Sequence, residues 1–253
     1  MKVLLACPRW RAVHPCAEEF MLSVVTAKAR PGLQVGRIPG DLLMGCAVYQ
    51  ARDVVCWHAL RDGFDVVLFC DADTELDAEQ ALDLCERVVS EDLAILAAPL
   101  MTRGKAGAAG GWNFSLTLRN RGKDVEPSTA QLERLREAVV GRKVWVTDGH
   151  AGTGVSAVNV RHLREIPRPW FMPEPDERDR EERPTFTTSD DVWFSIRAHR
   201  AGKRVGVDFG ATKGGHWTAL RLSTETSLPA LVANLGEFLE KPLVEPVRAE
   251  VRA

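Results

Sequence analysis

Short apolar runs alternate with longer segments of helical spacing along the first part of the chain. "KVLLAC" (2–7) is an unbroken apolar run stopped by Pro8, the pattern of a strand buried on both faces. "AEEFMLSVVTAKA" (17–29) repeats its apolar positions at helical spacing and ends before Pro31-Gly32. A weaker strand pattern at 33–38 precedes a second helical segment, "AVYQARDVVCWHALRDG" (47–63), with Gly63 as its C-terminal stop. "DVVLFC" (65–70) is the next strand. "DAEQALDLCERVV" (77–89) then opens with Asp77 as N-cap and Gln80 at capping-box spacing. "LAILAAP" (93–99) is another buried strand. This alternation predicts an α/β fold: a mostly parallel sheet with helices on both faces.

The second half is less regular. "RGKAGAAGGWN" (103–113) reads as a glycine-rich loop, and "STAQLERLREAVV" (128–140) as a capped amphipathic helix. "KVWVTD" (143–148) and "VSAVNV" (155–160) are strands flanking "GHAGTG" (149–154). "PEPDERDREERPT" (173–185), dense in proline and in charges of both signs, is expected to be a mobile loop. "SDDVWFSIRAHRAG" (189–202) is a helix capped by Thr188 or Ser189. "KRVGVDFG" (203–210) is a strand that runs into "ATKGGHW" (211–217), and a last helix covers roughly 228–240. The pattern implies one domain over 1–240 and a tail over 241–253, with no internal repeat.

Composition narrows the class. The 253 residues, 45% hydrophobic and 27% charged, suit a soluble globular chain able to bury a substantial core. Lys plus Arg is 33 against 35 Asp plus Glu, a net charge of −2. That balance weighs against the concentrated basic surface of sequence-independent nucleic-acid binding. The six cysteines form no CxxC pair, which argues against a zinc knuckle. Cys56, Cys70 and Cys85 fall in apolar patterns, as small core residues in a reducing cytoplasm do. The apolar run in "MKVLLACPRW" is too short for a signal peptide. No segment approaches the ~20 apolar residues of a spanning helix. A cytoplasmic protein without a membrane span is expected.

"VVLFCDADTEL" (66–76) supplies the candidate chemistry. A buried strand delivers Asp71 and Asp73, separated only by Ala72. Like charges this close repel, and burying them is costly unless something positive lies between. The stretch is therefore either a metal and phosphate site at a strand's end or an ordinary acidic turn. Open α/β sheets bind ligands outside the carboxyl ends of their strands. Asp71 and Asp73 fall there, and so do Pro8 and Arg9 after the first strand.

The order of these signals resembles a GT-A-fold, nucleotide-sugar-dependent glycosyltransferase, of the family 2-like, short stand-alone kind found in phage and bacteria. The resemblance runs from about residue 2 to 218. "KVLLACP" resembles the opening strand, "QARDVV" a basic helix facing the nucleotide, and "VVLFCDADTEL" the strand ending in a DxD motif. "ILAAPLMTRG" resembles the following strand and loop, and "AGTGVSAVNVRHLREI" the glycine turn, strand and helix near the donor sugar. "TSDDVWFSIRAHRAGKRVGVDFGATKGGHW" resembles the acidic helix start, strand and metal-binding histidine. The resemblance implies that Asp73 coordinates a divalent cation directly. Asp71 would contact the ribose or a metal-bound water, and His216 would be a further ligand. Mn²⁺ or Mg²⁺ is implied, since a hard cation prefers oxygen ligands and Mn²⁺ also accepts an imidazole. The implied donor is a nucleoside-diphosphate sugar, a UDP-sugar favoured, whose leaving diphosphate the metal stabilises.

The remaining candidates each carry two readings. Arg52 is a solvated helix charge or meets phosphate or base. Gly152 and Gly154 make a tight turn or let backbone approach the ligand. Trp112 and Asn113 anchor a loop or meet the acceptor. Asp190 and Asp191 favour a helix N-terminus by charge alone, yet two acids after Thr188-Ser189 exceed what capping needs. By the resemblance, Asp191 matches the second position of the family's acidic pair, where Glu-Asp is usual, and would be the catalytic base. The QxxRW motif of processive synthases is absent. A haloacid-dehalogenase-like phosphatase would need D-x-D-x-T after the first strand, and Thr74 comes one residue early. A non-catalytic nucleotide-sugar-binding protein would need no base. The acceptor is a glycan or small molecule, or alternatively a hydroxylated base in phage DNA, which the acidic net charge disfavours.

Overall fold

The computed structural model describes residues 1–8, 13, 15–27, 30–38, 47–99, 101–102, 113–114, 129–152, 154–172, 190–217 and 221–223, with the backbone alone at 101–102, 113–114, 129, 214–217 and 221–223. Arg9, Cys46, Trp112, Thr188 and Ser189, the charged stretch 173–185, the helix expected at 228–240 and the tail at 241–253 lie outside the described residues.

Strands β1 (Lys2–Ala6), β2 (Gln34–Arg37), β3 (Val66–Cys70), β5 (Leu93–Ala97), β8 (Val144–Thr147), β9 (Val155–Asn159) and β10 (Arg204–Asp208) form one seven-stranded sheet. Its order is β2-β1-β3-β9-β5-β10-β8. β1 runs parallel to β2 and β3, and β5 parallel to β10, while β9 and the edge strand β8 are antiparallel. β1 and β3 are in register from Val3 opposite Val66 to Ala6 opposite Phe69, so their carboxyl ends finish side by side.

Every residue of β3, β5 and β9 is buried, as expected of central strands; β3 and β5 are continuous apolar runs, and β9 also buries Ser156 and Asn159. Alternate side chains feed two cores, because successive Cβ atoms point to opposite faces. Leu4, Ala6, Val67 and Phe69 pack with α2 (Val48–Arg61), α4 (Thr129–Val140) and α6 (Asp190–Arg200). Val3, Leu5, Val66, Leu68 and Cys70 pack with α1 (Pro15–Thr26) and α3 (Ala78–Ser90). Helices therefore cover both faces, as the sequence pattern predicts. α1 begins at Pro15, earlier than its apolar spacing suggests, because proline's missing N–H costs nothing in a first turn. α2 stops where expected, with Gly63 at φ +69°. A one-turn helix, α5 (Val160–Leu163), follows β9. Cys7, Cys16, Cys56, Cys70 and Cys85 are buried, as expected of core residues. Among the described residues no helix is long and apolar enough to cross a membrane.

A second, smaller sheet sits beyond the carboxyl end of β3. It joins β4 (Thr74–Leu76), β11 (Gly214–Trp217) and β12 (Arg221–Ser223), all antiparallel. A two-stranded ladder pairs β6 (Met101–Thr102) with β7 (Asn113–Phe114), and Asn113 stands opposite Thr102. Sequence patterning places "ATKGGHW" after a strand and assigns it no element of its own. The small sheet escapes it because strands of three or four residues, one of them half glycine, carry no measurable period.

The expected capping box at α3 is half formed. Asp77 accepts from the Gln80 amide at 3.2 Å. The Gln80 side chain, instead of turning back to Asp77, donates to Gly210 O at 3.1 Å and accepts from Lys213 N at 2.8 Å. The Asp77 amide donates to Lys213 O at 3.0 Å. Helix α3 thus clamps the loop that leads into β11 and His216.

Candidate functional site

The DxD turn is built by backbone before any side chain acts. Asp71 N–H donates to Gly154 O at 2.7 Å, and Thr74 N–H closes the turn on Asp71 O at 3.2 Å. The buried Thr74 hydroxyl lies between two carbonyls, 2.9 Å from Gly154 O and 3.1 Å from Asp71 O, and donates to both as a three-centre bond. Gly154 of the glycine turn therefore holds Asp71 in place through its carbonyl. Thr74→Val, nearly isosteric, removes the hydroxyl donor while each carbonyl keeps its amide. It is expected to lower unfolding free energy by about 0.5–1.5 kcal/mol. The readout is a lower denaturant midpoint at constant slope, and an unchanged midpoint would show that this lock contributes nothing.

Arg52, from the middle of α2, meets this turn. Its Nη2 donates to Asp71 Oδ1 at 2.6 Å, and its Nη1 pairs with Asp190 Oδ2 at the first residue of α6. The guanidinium carbon lies 5.9 Å from the Phe69 ring centre and 6.0 Å from that of Phe171. Phe171 is fixed in turn by the neighbouring α2 residue: Asp53 Oδ1 accepts from Trp170 N at 2.8 Å and Phe171 N at 3.0 Å. Burial by itself would discourage charge on Arg52, but Asp71, Asp190 and Asp191 outweigh it and hold the guanidinium more firmly protonated than usual.

Burial pushes the Asp71 carboxyl up to about 6; Arg52 opposes the rise, while Asp190, Asp73 and Asp191 add to it. Three further carboxylates thus act on Asp71 at the carboxyl edge of the sheet, and Asp71 and Asp190 flank one buried guanidinium. The geometry unites residues that sequence spacing left far apart: Asp71 and Asp73 after β3, Asp190 and Asp191 at the start of α6. Ala72 is partly buried against the core of α1 and α3, and Pro8 is buried just past the end of β1. The backbone of His216 lies opposite Thr74 in the small sheet, one residue beyond Asp73. Among the described residues no three His, Cys, Asp or Glu side chains are gathered as a metal site; the His216 side chain is not among them.

The loop 149–152 is stitched along α6. Gly149 O contacts His199 Nε2 at 2.9 Å, Ala151 N donates to Ser195 Oγ at 3.2 Å, and Ser195 Oγ donates to Asp191 O at 3.1 Å. Gly152, also buried, follows directly. His150 is buried between these ties, and its Nδ1 has no hydrogen-bond partner among the described residues. Burial lowers its pKa, against the pull of Asp191 and with a push from His199. Thr74, His150 and Ser195 support the site without having been singled out in sequence. Only Ser195 carried a signal, a hydroxyl one helical turn after Asp191.

No protein-family model matches the sequence, and no curated protein is similar to it by sequence. Solved structures do resemble the fold. The crystal structure of A197 from STIV superposes with a TM-score of 0.52 at 14% identity, over 89% of this chain and 91% of that one. GalNAc-T7, solved with UDP, GalNAc and Mn²⁺, superposes with a TM-score of 0.50 at 13% identity, over 87% of this chain. This chain spans 43% of the GalNAc-T7 chain. Identities this low speak for architecture alone. The chain has an α/β fold of the GT-A kind, a mixed, mostly parallel seven-stranded sheet between two helical layers.

Proposed function

We propose that the protein is a metal-dependent glycosyltransferase that moves a sugar from a nucleoside-diphosphate sugar to an acceptor hydroxyl with inversion. The observation that carries this reading is the pairing of Asp71 and Asp190 with one buried arginine at the carboxyl edge of a GT-A-like sheet, with the charges of Asp73 and Asp191 also acting on Asp71. Such crowding of negative charge is relieved by a cation, and oxygen donors suit Mn²⁺ or Mg²⁺. Asp73 and Asp71 would hold it, with His216 as a third ligand from β11. When bound, the metal neutralises charge building on the departing diphosphate.

The chain's own residues do the rest. The Gly154 carbonyl fixes the DxD turn, and the α3 clamp fixes the approach to His216. Pro8, Arg9 and Gly152 border the nucleotide, and Trp112 and Asn113 meet the acceptor. Asp191, across the site at the start of α6, takes the acceptor's proton as its oxygen attacks the anomeric carbon. The fold likeness to a protein solved with UDP, GalNAc and Mn²⁺ supports the donor class and favours a UDP-sugar.

The test is a thermal-shift panel of UDP, GDP, CMP and dTDP with and without Mn²⁺. One nucleotide should stabilise the protein only when metal is present. At a hundred times its dissociation constant a ligand adds about 2.7 kcal/mol, which raises the midpoint of a domain this size by roughly 5–10 °C. No metal-dependent shift with any nucleotide would overturn the reading.

The pH dependence is a second check. Asp71 has a folded pKa of about 6, above its ordinary 3.8. Its protonation therefore stabilises the metal-free fold as pH falls from about 6 toward 3.8. Cation binding needs the carboxylate, so the Mn²⁺-dependent shift should shrink across the same window. Shifts of equal size at about pH 5 and about pH 7.5 would contradict it.

A further inference from the structure

Sequence resemblance places Arg52 against phosphate or base, but its surroundings leave little room for either. The side chain is 3% exposed. One Nη is taken by Asp71 and the other by Asp190, and the Phe69 and Phe171 rings approach the guanidinium. Given the proposed sugar transfer, on which this rests, we infer that Arg52 is a positioning residue: it pins the end of β3 to the start of α6 and thereby sets the distance between Asp73 on the donor side and Asp191 on the acceptor side.

Only a fork can do this. A guanidinium presents two parallel N–H edges at fixed separation, whereas an ammonium is a single point charge that cannot reach both carboxylates in the same way. Without the fork, Asp71 and Asp190 face each other as like charges and the two elements move apart. The two sides would respond unequally. Asp71 stays anchored by its amide on Gly154 O and by Thr74. The ties at the start of α6 to other elements include Arg52 and the Ser195 link to the 149–151 loop. Loss of the fork therefore displaces Asp191 more than Asp73. A displacement of about 1 Å at a reacting group can cost ~10²-fold in rate.

The test compares full-length wild type with Arg52→Lys, Asp190→Ala and the double variant, measuring UDP affinity by calorimetry in Mn²⁺ and kcat for UDP release from a UDP-sugar. Arg52→Lys should keep the UDP dissociation constant within about threefold while kcat falls by ~10²-fold. Asp190→Ala should match that loss, and the double variant should lose no more than either single, because both break one link. A large loss of UDP affinity with kcat retained at saturation would make Arg52 a ligand contact and overturn the inference. So would additive losses in the double variant, or a lower melting midpoint with kcat intact. If Arg52→Lys does not fold, Asp190→Ala alone decides by the same split between affinity and rate. A wild type that binds no nucleotide of the panel with Mn²⁺ and releases none from its sugar conjugate would overturn the proposed function, and the inference with it; if another nucleotide of the panel is the one that binds, it takes the place of UDP in this comparison.

Discussion

Asp191→Asn should slow sugar transfer by about 10²–10⁴-fold, the usual value of general-base catalysis, while UDP and Mn²⁺ still bind. Inversion requires a base on the face of the sugar opposite the leaving diphosphate, and in the proposed site Asp71 and Asp73 would sit with the metal on the other side. Of the two acids at the start of α6, Asp190 is committed to Arg52. Asp191 holds its own helix by accepting from Val192 N at 2.8 Å, and Ser195 holds its carbonyl. An asparagine keeps an acceptor for the Val192 amide, so folding should be little changed and the loss should appear in kcat. Asp190→Asn, which can still accept from Arg52, should be mild. Near-normal transfer by Asp191→Asn together with a severe loss in Asp190→Asn would exchange their roles. A product that retains the donor's anomeric configuration would exclude direct displacement altogether.

Asp73→Ala should abolish Mn²⁺-dependent nucleotide binding instead of slowing a bound complex. Asp73 is the acid of the DxD turn placed beside the backbone of His216, across the small sheet from Thr74. Removing it takes away a charged oxygen ligand where a hard cation has few alternatives. The two substitutions therefore separate by observable: Asp191→Asn alters rate at saturation, Asp73→Ala alters affinity and its dependence on metal. A UDP dissociation constant within about twofold of wild type in Asp73→Ala would remove that residue from the metal site.

The sheet was legible because its strands are continuous apolar runs: "VVLFC" and "LAILA" can be little else than buried strands, and α3 announces its start with Asp77. Strand direction was not legible. β9 lies antiparallel between β3 and β5, yet "VSAVN" is as fully buried as its neighbours, and a period of two says nothing about strand direction. The small sheet was hidden by brevity, since "TEL" and "GGHW" become strands only by pairing with each other.

At the site, the acids could be marked one by one from motif spacing, but their relation could not. Arg52 and Asp190 stand 138 residues apart in sequence and touch only because α2 and α6 cover the same face of the sheet. A buried arginine on an amphipathic helix looks, in sequence, like a solvated one. Gln80 shows the same limit on a local scale: its spacing from Asp77 marks a capping box, but carbonyl and amide groups from the 210–213 loop compete for its side chain and win.

The most direct measurement of the central claim requires no knowledge of the acceptor. Water is the simplest hydroxyl acceptor, and where the site is not closed against it, release of the nucleoside diphosphate from its sugar conjugate would report an assembled donor and metal site. The protein should release UDP from a UDP-sugar in the presence of Mn²⁺, lose that release when the metal is chelated, and lose it in Asp73→Ala. Absence of metal-dependent release from UDP-, GDP- and dTDP-sugars alike, with the protein folded, would contradict the assignment of this site to sugar transfer.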